Sequence, residues 1–366
     1  MIISRKEKTT MNITASYPGG NIRVLSVEGD TVKLAPDLRT TTEDWFYWSF
    51  RVDGAAGQTL KFDFCGHEYV SYWGPAVSYD NRNWKWLGGW FTGCVNRNGS
   101  KFIYTFGPEE DSVYFCHDMN YQPDRFFDFA AETGLKTEML CMSENNQCVP
   151  MVRIGSEGPV LLITARHHCC ESPGSYLMEG ILREFAKNPP KGFRIIAIPF
   201  VDFDGAAAGD QGKARTPHDH NRDYTDEPYW RSVQAIMKLA EQEDIRLALD
   251  LHAPWHRGHE HDHCYIIRTS SNESRQREIF SRMLDGETRS HSEAFPFWHN
   301  FVFNHYRAGT STFTSYFSRK PGVELALCIE TTYAGHYGCQ TTQSNLVELG
   351  ACISRVLQTM YGEVSL

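Results

Sequence analysis

From about residue 123 onward, continuous apolar segments of strand length alternate with segments of helical periodicity. An apolar run without alternation is typical of a strand that is buried on both faces, and helices between such strands cover those faces. The alternation therefore predicts an α/β fold with a mixed, mostly parallel sheet and helices on both faces. The predicted strands are 161–164, 193–200, 245–251 and 323–329, and the predicted helices are 124–132, 176–187, 229–243, 275–284 and 344–360.

The residues before this region have the pattern of an all-β domain. Residues 45–52 are an aromatic and β-branched run, and residues 59–64 alternate between apolar and polar side chains, as a half-buried strand does. The runs 101–106 and 112–116 repeat that pattern. Because 366 residues exceed the usual size of one domain, we predict a β-sandwich domain at 1–122 and an α/β domain at 123–366.

Composition favours a cytoplasmic protein that binds neither nucleic acid nor membrane. The formal net charge is -9, which disfavours polyanionic partners. We find no apolar run long enough to span a bilayer and no apolar core of signal-peptide length near the start. The 11 cysteines include no C-x-x-C pair and are typical of reduced thiols rather than a disulfide framework.

Polar side chains follow each predicted strand of the α/β region. Because active sites of such sheets collect at the carboxyl ends of the strands, these side chains are expected to meet, although any single motif among them is a weak signal. Imidazole and carboxylate groups are good zinc ligands. In strand order, the residues are His168 and Glu171, then Asp202 and Asp204 leading to Asn221 and Arg222, then His252, and finally Glu330.

Each of these residues has a plausible chemical role and a plain structural alternative. Asp250, two residues before His252, is suited to orient that imidazole. Partial burial of Glu330 at a strand end would raise its pKa toward that of a general base. A guanidinium and an amide at Arg222 and Asn221 are suited to hold a carboxylate. The alternatives are a buried histidine, a solvated carboxylate and a surface ion pair, and a competing His-rich segment lies at 256–263.

Taken together, His168-x-x-Glu171, Asn221-Arg222, Asp250-Leu-His252 and Ile329-Glu330 resemble the zinc metallocarboxypeptidases related to carboxypeptidase A. The resemblance extends from about residue 130 to the end of the sequence. The aromatic β region before it is similar to the N-terminal β-sandwich of the cytosolic carboxypeptidase subgroup.

The resemblance implies that His168, Glu171 and His252 bind one zinc ion and that Glu330 is the general base. It implies that Asn221 and Arg222 hold the terminal carboxylate of the substrate, and it places the mobile substrate-binding tyrosine at Tyr306. The oxyanion-stabilising arginine of the subgroup would fall on Gly212, which cannot serve. Arg215 and Lys213 are the nearby candidates, and Arg215 is preferred.

The expected function is therefore hydrolysis of the C-terminal peptide bond of a peptide or protein. Two alternatives stay open. The first is a zinc amidase or deacylase of the same fold that acts on an N-acyl amino acid or a cell-wall peptide. The second is a non-catalytic binding protein with a degenerate site.

Overall fold

The structure is a computed structural model that describes residues 11–268, 275–304 and 311–362, with the side chains of 268 and 300–304 left out. The described chain divides into two compact units. The first contains residues 11–37 and 46–120, and the second contains residues 38–45 and 121–362. The segment 38–45 groups with the second unit, so the two units are not separated at one point in the sequence. The domain boundary expected after residue 122 stays a prediction.

The first unit consists of two β-sheets and one short 3-10 helix at Trp90–Thr92. The strand order is β1-β4-β9-β6-β7 in one sheet and β2-β3-β5-β8 in the other. The strands are β1 (Asn12–Thr14), β2 (Arg23–Glu28), β3 (Thr31–Ala35), β4 (Ser49–Asp53), β5 (Thr59–Asp63), β6 (Ala76–Ser78), β7 (Lys85–Trp86), β8 (Lys101–Thr105) and β9 (Ser112–Cys116).

Aromatic side chains from both sheets form the core of this unit. Phe50 on β4 lies 5.3 Å from Phe62 on β5, and Phe62 lies 5.4 Å from Phe115 on β9, between ring centroids. All three rings are fully buried. Large rings fill the space between two sheets efficiently, which is why the strands that carry them alternate apolar and polar residues. The predicted sandwich is confirmed.

The second unit contains seven helices and ten strands within its described residues. The helices are α1 (Pro123–Thr133), α2 (Ser172–Lys187), α3 (Phe203–Ala208), α4 (Arg231–Gln242), α5 (Arg275–Ser290), α6 (Phe313–Ser318) and α7 (Gln343–Tyr361). The strands are β10 (Thr137–Met142), β11 (Cys148–Ile154), β12 (Val160–Ala165), β13 (Arg194–Ile198), β14 (Ile245–His252), β15 (Cys264–Arg268), β16 (Phe297–Asn304), β17 (Leu325–Glu330), β18 (Gly335–His336) and β19 (Cys339–Gln340). Short 3-10 helices lie at His220–Arg222 and His259–Asp262.

Eight strands form the central sheet in the order β10-β11-β13-β12-β14-β17-β15-β16. The four central strands β13, β12, β14 and β17 are parallel to one another. Every residue of β12 and β17 is buried, so both faces of the sheet are covered. The predicted α/β fold is confirmed, and the four predicted strands are these central four.

Two helices behind the sheet cross at a pair of glycines. A Cβ atom on Gly180 of α2 would lie 1.9 Å from the carbonyl oxygen of Val347, and one on Gly350 of α7 would lie 2.2 Å from that of Leu177. Only glycine permits backbones to approach this closely. A capping box between Thr342 and Asn345 begins α7.

The peripheral strands were not predicted from the sequence. β10 and β11 form an antiparallel hairpin that adds to the sheet through β13, and β15 pairs antiparallel to β17. Within the described residues, we find no helix with the length and apolar character needed to cross a membrane.

Candidate active site

The candidate site lies where the four parallel strands end. β12 ends three residues before His168, β14 ends at His252, and β17 ends at Glu330. Because β12, β14 and β17 are neighbours and run in the same direction, their carboxyl ends bring these residues to one edge of the sheet.

His168, Glu171 and His252 form a buried cluster whose donor atoms face one another. His168 Nδ1 lies 3.2 Å from His252 Nδ1 and 2.9 Å from Glu171 Oε1. His252 Nδ1 lies 2.7 Å from Glu171 Oε2. Ligand atoms about 2.0–2.1 Å from a tetrahedral zinc ion lie about 3.3 Å apart. The residue types and the spacing of the two imidazoles therefore fit a His₂Glu zinc site.

The turn that carries His168 is fixed by backbone contacts. Arg166 has φ +61 and reverses the chain after β12, and its buried guanidinium donates to the carbonyl oxygen of Cys169. At Gly174, in the first turn of α2, a Cβ atom would lie 2.7 Å from the carbonyl oxygen of Leu251. This close approach brings Glu171 to the end of β14, where its Oε2 also accepts from the amide of Ala253 at 3.1 Å.

Asp250 holds His252 from the side opposite the cluster. Asp250 Oδ2 lies 2.7 Å from His252 Nε2, and both side chains are buried. A carboxylate only accepts hydrogen bonds, so Nε2 of His252 carries a ring proton, and Nδ1 is the ring nitrogen that faces Glu171 and His168 and could bind an ion once it has lost its own proton.

Glu330 lies beside the cluster on the neighbouring strand. It is the register partner of His252 in the β14/β17 pair. Its side chain is buried, and its Oε2 has no hydrogen-bond partner within the described part of the chain. Burial, together with the nearby charge of Glu171, raises the pKa of Glu330, while His252 and Lys213 oppose that shift. The expectation that burial at the strand end raises this pKa is met.

Among the described side chains, the cation nearest the cluster is Lys213 rather than Arg215. Lys213 Nζ lies 3.1 Å from Glu171 Oε1. Burial alone would raise the pKa of Glu171, but the charges of His168, Lys213 and His252 lower it well below its usual value. Arg215 instead pairs with Asp202 and stacks on Trp230 at 4.9 Å from the ring centroid.

Gly212 explains why no arginine side chain occupies the preceding position. Its φ is +75, and a Cβ atom there would lie 2.4 Å from the backbone nitrogen of Cys169. The loop that carries Lys213 therefore packs directly against the turn that carries His168.

Asn221 and Arg222 lie in a short 3-10 helix beside His252. Asn221 Nδ2 lies 3.2 Å from His252 Nε2, but both nitrogens carry protons and cannot bond to each other. Asn221 Oδ1 accepts from the amide of Phe313 at 3.1 Å, and its NH₂ group has no acceptor among the described residues. The guanidinium of Arg222 is half-buried and has no carboxylate partner among the described residues.

The remaining sequence candidates have other positions. Tyr306 lies outside the described residues. The other groups of possible metal ligands in the described chain are His167, Asp250 and His252, and Glu287, His291 and Cys352, and neither draws on the His-rich segment 256–263.

The sequence interpretation missed two features of the site. The preference for Arg215 over Lys213 as the oxyanion residue stays a prediction, but no local sequence pattern indicated that Lys213 contacts Glu171. The interpretation also assigned no role to His167 and Tyr224, whose side chains lie 2.7 Å apart at His167 Nε2 and Tyr224 Oη. A second histidine beside His168 was the available signal.

Comparisons with known proteins agree with this architecture. Residues 13–117 match the family model of the cytosolic carboxypeptidase N-terminal domain. Over 266 residues, the chain is 24% identical to an uncharacterized protein of Zymomonas mobilis. The aligned region covers 66% of this chain and 67% of that protein. Over 338 residues, it is 22% identical to mouse cytosolic carboxypeptidase 3. The aligned region covers 77% of this chain but only 31% of the mouse protein.

Solved structures of two bacterial proteins have the same fold. A metallo-carboxypeptidase from Burkholderia cenocepacia has a TM-score of 0.80 at 16% identity, covering 96% of this chain and 98% of that one. A metallo-carboxypeptidase from Pseudomonas aeruginosa, solved with (2-guanidinoethylmercapto)succinic acid, has a TM-score of 0.77 at 17% identity, covering 95% and 98%. The chain thus has the metallocarboxypeptidase fold, and the predicted resemblance is confirmed.

Proposed function

We propose that this chain, which has the metallocarboxypeptidase fold, is a zinc-dependent carboxypeptidase that removes the C-terminal residue of a peptide or protein. The observation that carries the proposal is the convergence of His168, Glu171 and His252, with Glu330 on the adjacent strand. These residues come from three separate strand ends, and a buried cluster of this kind is costly unless a ligand compensates it.

His168, Glu171 and His252 would hold one zinc ion. When bound, zinc supplies a Lewis acid and water of lowered pKa at this site. Glu171 is kept ionised by the surrounding positive groups, and Asp250 keeps the proton of His252 away from the cluster. Asp250 and Glu171 also raise the pKa of His252, so binding of the ion would displace the proton from its Nδ1.

Glu330 is suited to act as general base and then as general acid. Its Oε2 makes no hydrogen bond within the described chain, so this oxygen is available to accept a proton from the attacking water. The same oxygen would then deliver that proton to the nitrogen of the leaving amine. A pKa raised above the usual value of a glutamate supports both transfers, because the carboxylate is then a stronger base toward the water.

Asn221, Arg222 and Lys213 would bind the substrate. The NH₂ group of Asn221 and the guanidinium of Arg222 offer a fork for a terminal carboxylate. Lys213 Nζ, beside Glu171, is the cation positioned to stabilise negative charge on the carbonyl oxygen. We assign this role to Lys213 in place of Arg215, because the Arg215 guanidinium is engaged by Asp202.

We also place the protein in the cytoplasm. All 11 cysteines, every one within the described residues, are free thiols, as expected in a reducing compartment.

A C-terminal peptide library read by mass spectrometry tests the proposed activity. We expect shortening by single residues, loss of turnover with phenanthroline and recovery with zinc. Peptides with amidated C-termini should resist cleavage, since the fork then lacks a carboxylate. Hydrolysis of N-acyl amino acids without cleavage of tripeptides would favour the amidase alternative. Zinc binding without any turnover would favour a non-catalytic binding protein.

A further inference from the structure

A chain of buried polar side chains continues from His252 away from the cluster. Asp250 Oδ1 accepts from the hydroxyl of Thr164 at 2.8 Å and lies 2.7 Å from His167 Nδ1. His167 Nε2 lies 2.7 Å from Tyr224 Oη. All of these side chains are buried, and the most exposed of them, Tyr224, is only 3% accessible.

The carboxylate of Asp250 fixes the direction of every hydrogen bond in this chain. An ionised carboxylate accepts from all its neighbours, so the protons lie on His167 Nδ1 and on His252 Nε2. The second nitrogen of neutral His167 is then an acceptor, and the hydroxyl of Tyr224 donates to it. The hydrogen bonds therefore run in one direction from Tyr224 to Asp250, and they leave Nδ1 as the nitrogen of His252 that can bind an ion.

The far end of the chain is tied to the loop that would bind the substrate. Tyr224 follows Arg222 by two residues, and its backbone nitrogen donates to the carbonyl oxygen of Ser311 at 3.2 Å. Its ring packs 5.7 Å from that of Phe313, whose amide donates to Asn221. The orientation of His252 and the position of Asn221 are thus set by one connected group of residues.

We propose that His167 and Tyr224 are positioning residues which, through Asp250, fix the tautomer and ring orientation of His252 for zinc. This inference rests on the proposed role of His252 as a zinc ligand. A purely apolar residue at position 167 would pack against Phe313 equally well and would avoid burying a polar ring. The polar chain is therefore better explained by what it does to His252.

The inference is tested by measuring the zinc affinity of the full chain and its variants in competition with a chelator. Melting temperatures of the metal-free proteins show whether each variant folds. Hydrogen-bond partners behind metal ligands typically contribute 10–100-fold in affinity. We expect His167→Leu to weaken zinc binding by about that factor. His167→Asn keeps a donor near the Nδ1 position, so it should recover most of the loss. Tyr224→Phe should give a measurable loss at the lower end of this range, about 10-fold.

Tyr316→Phe is the matched control. The Tyr316 ring packs 5.7 Å from that of Tyr224, but its hydroxyl is not part of the hydrogen bonds that link Tyr224, His167 and Asp250. It should bind zinc as the wild type does. If His167→Leu fails to fold, Tyr224→Phe still tests the chain. Wild-type affinity in His167→Leu and Tyr224→Phe would overturn the inference, as would equal losses in the Leu and Asn variants.

Stoichiometry separates this inference from two other outcomes. Two zinc ions in the wild type and one in the His167 variants would make His167 a ligand of a second ion, with Asp250 and His252, and would overturn the positioning role. A wild-type protein that binds no zinc would overturn the proposed function and this inference with it. Zinc binding that all variants share would overturn the inference alone.

Discussion

Replacing Lys213 by methionine removes the ammonium group that contacts the carboxylate of the candidate metal cluster. The Lys213 side chain is 24% exposed and that of Glu171 is 0% exposed. At 3.1 Å, a pair of unit charges attracts by about 5 kcal/mol at an effective dielectric constant of about 20. Partial exposure and the cost of desolvating the ammonium reduce the expected loss of stability to about 2–3 kcal/mol in the metal-free protein.

Zinc should compensate for much of that loss, because the ion supplies positive charge next to Glu171. We therefore expect the metal-free Lys213→Met protein to melt about 4–12 °C below the wild type, and the zinc-loaded variant to lose clearly less. Differential scanning calorimetry of both forms measures the difference. Lys191→Met, at an exposed position, is the control and should melt as the wild type does. An equal fall in both forms, or none in the metal-free form, would refute the reasoning.

The same variant tests the assignment of the oxyanion-stabilising cation. Removing one such group typically lowers kcat by about 10²–10³-fold, and we expect that loss for Lys213→Met with zinc retained. Arg215→Lys should change kcat little, because its partner Asp202 holds it away from Glu171. The reverse result would restore Arg215 as the oxyanion residue.

Three further substitutions test separate parts of the account. Glu330→Gln should lower kcat by about 10²–10⁴-fold while zinc content stays unchanged, and loss of zinc would contradict its assignment as a base. Arg222→Met should raise KM by about 10–150-fold for peptides with free C-termini, and an unchanged KM would exclude a carboxylate-binding role. In the first unit, burial lowers the pKa of His117 from 6.5 to about 3, so its neutral form stabilises the fold above about pH 6.5 and that stability is lost as the pH falls toward 3. Between about pH 7 and pH 5, the free energy of unfolding of the wild type, measured in urea, should therefore fall by about 2 kcal/mol more than that of His117→Gln. An equal fall in both proteins would count against this effect of burial.

The central strands and the residues at their ends were predictable because each feature is local in sequence. β12 and β17 are buried throughout and read as continuous apolar runs. The residues that follow such runs are placed by the rule for parallel sheets. His168, Glu171, His252 and Glu330 could therefore be proposed as one site before any contact was known.

The features that were missed depend on contacts between distant segments. Lys213 approaches Glu171 only because Gly212 packs against the turn at Cys169, and no local pattern reveals that approach. The hairpin of β10 and β11 contains exposed residues such as Met139, so its strands lack a clear apolar face. The chain from Tyr224 to His167 joins two strand-end loops 57 positions apart, and spacing in sequence does not report it.

Anomalous diffraction at the zinc edge, from crystals grown with zinc, locates the bound ion. If His168, Glu171 and His252 hold it, one strong peak will lie within coordination distance of His168 Nδ1, His252 Nδ1 and Glu171, and that peak will be lost in His252→Ala. A peak at the His-rich segment 256–263, or no peak near the ends of β12 and β14, would show that these three residues are not the zinc ligands.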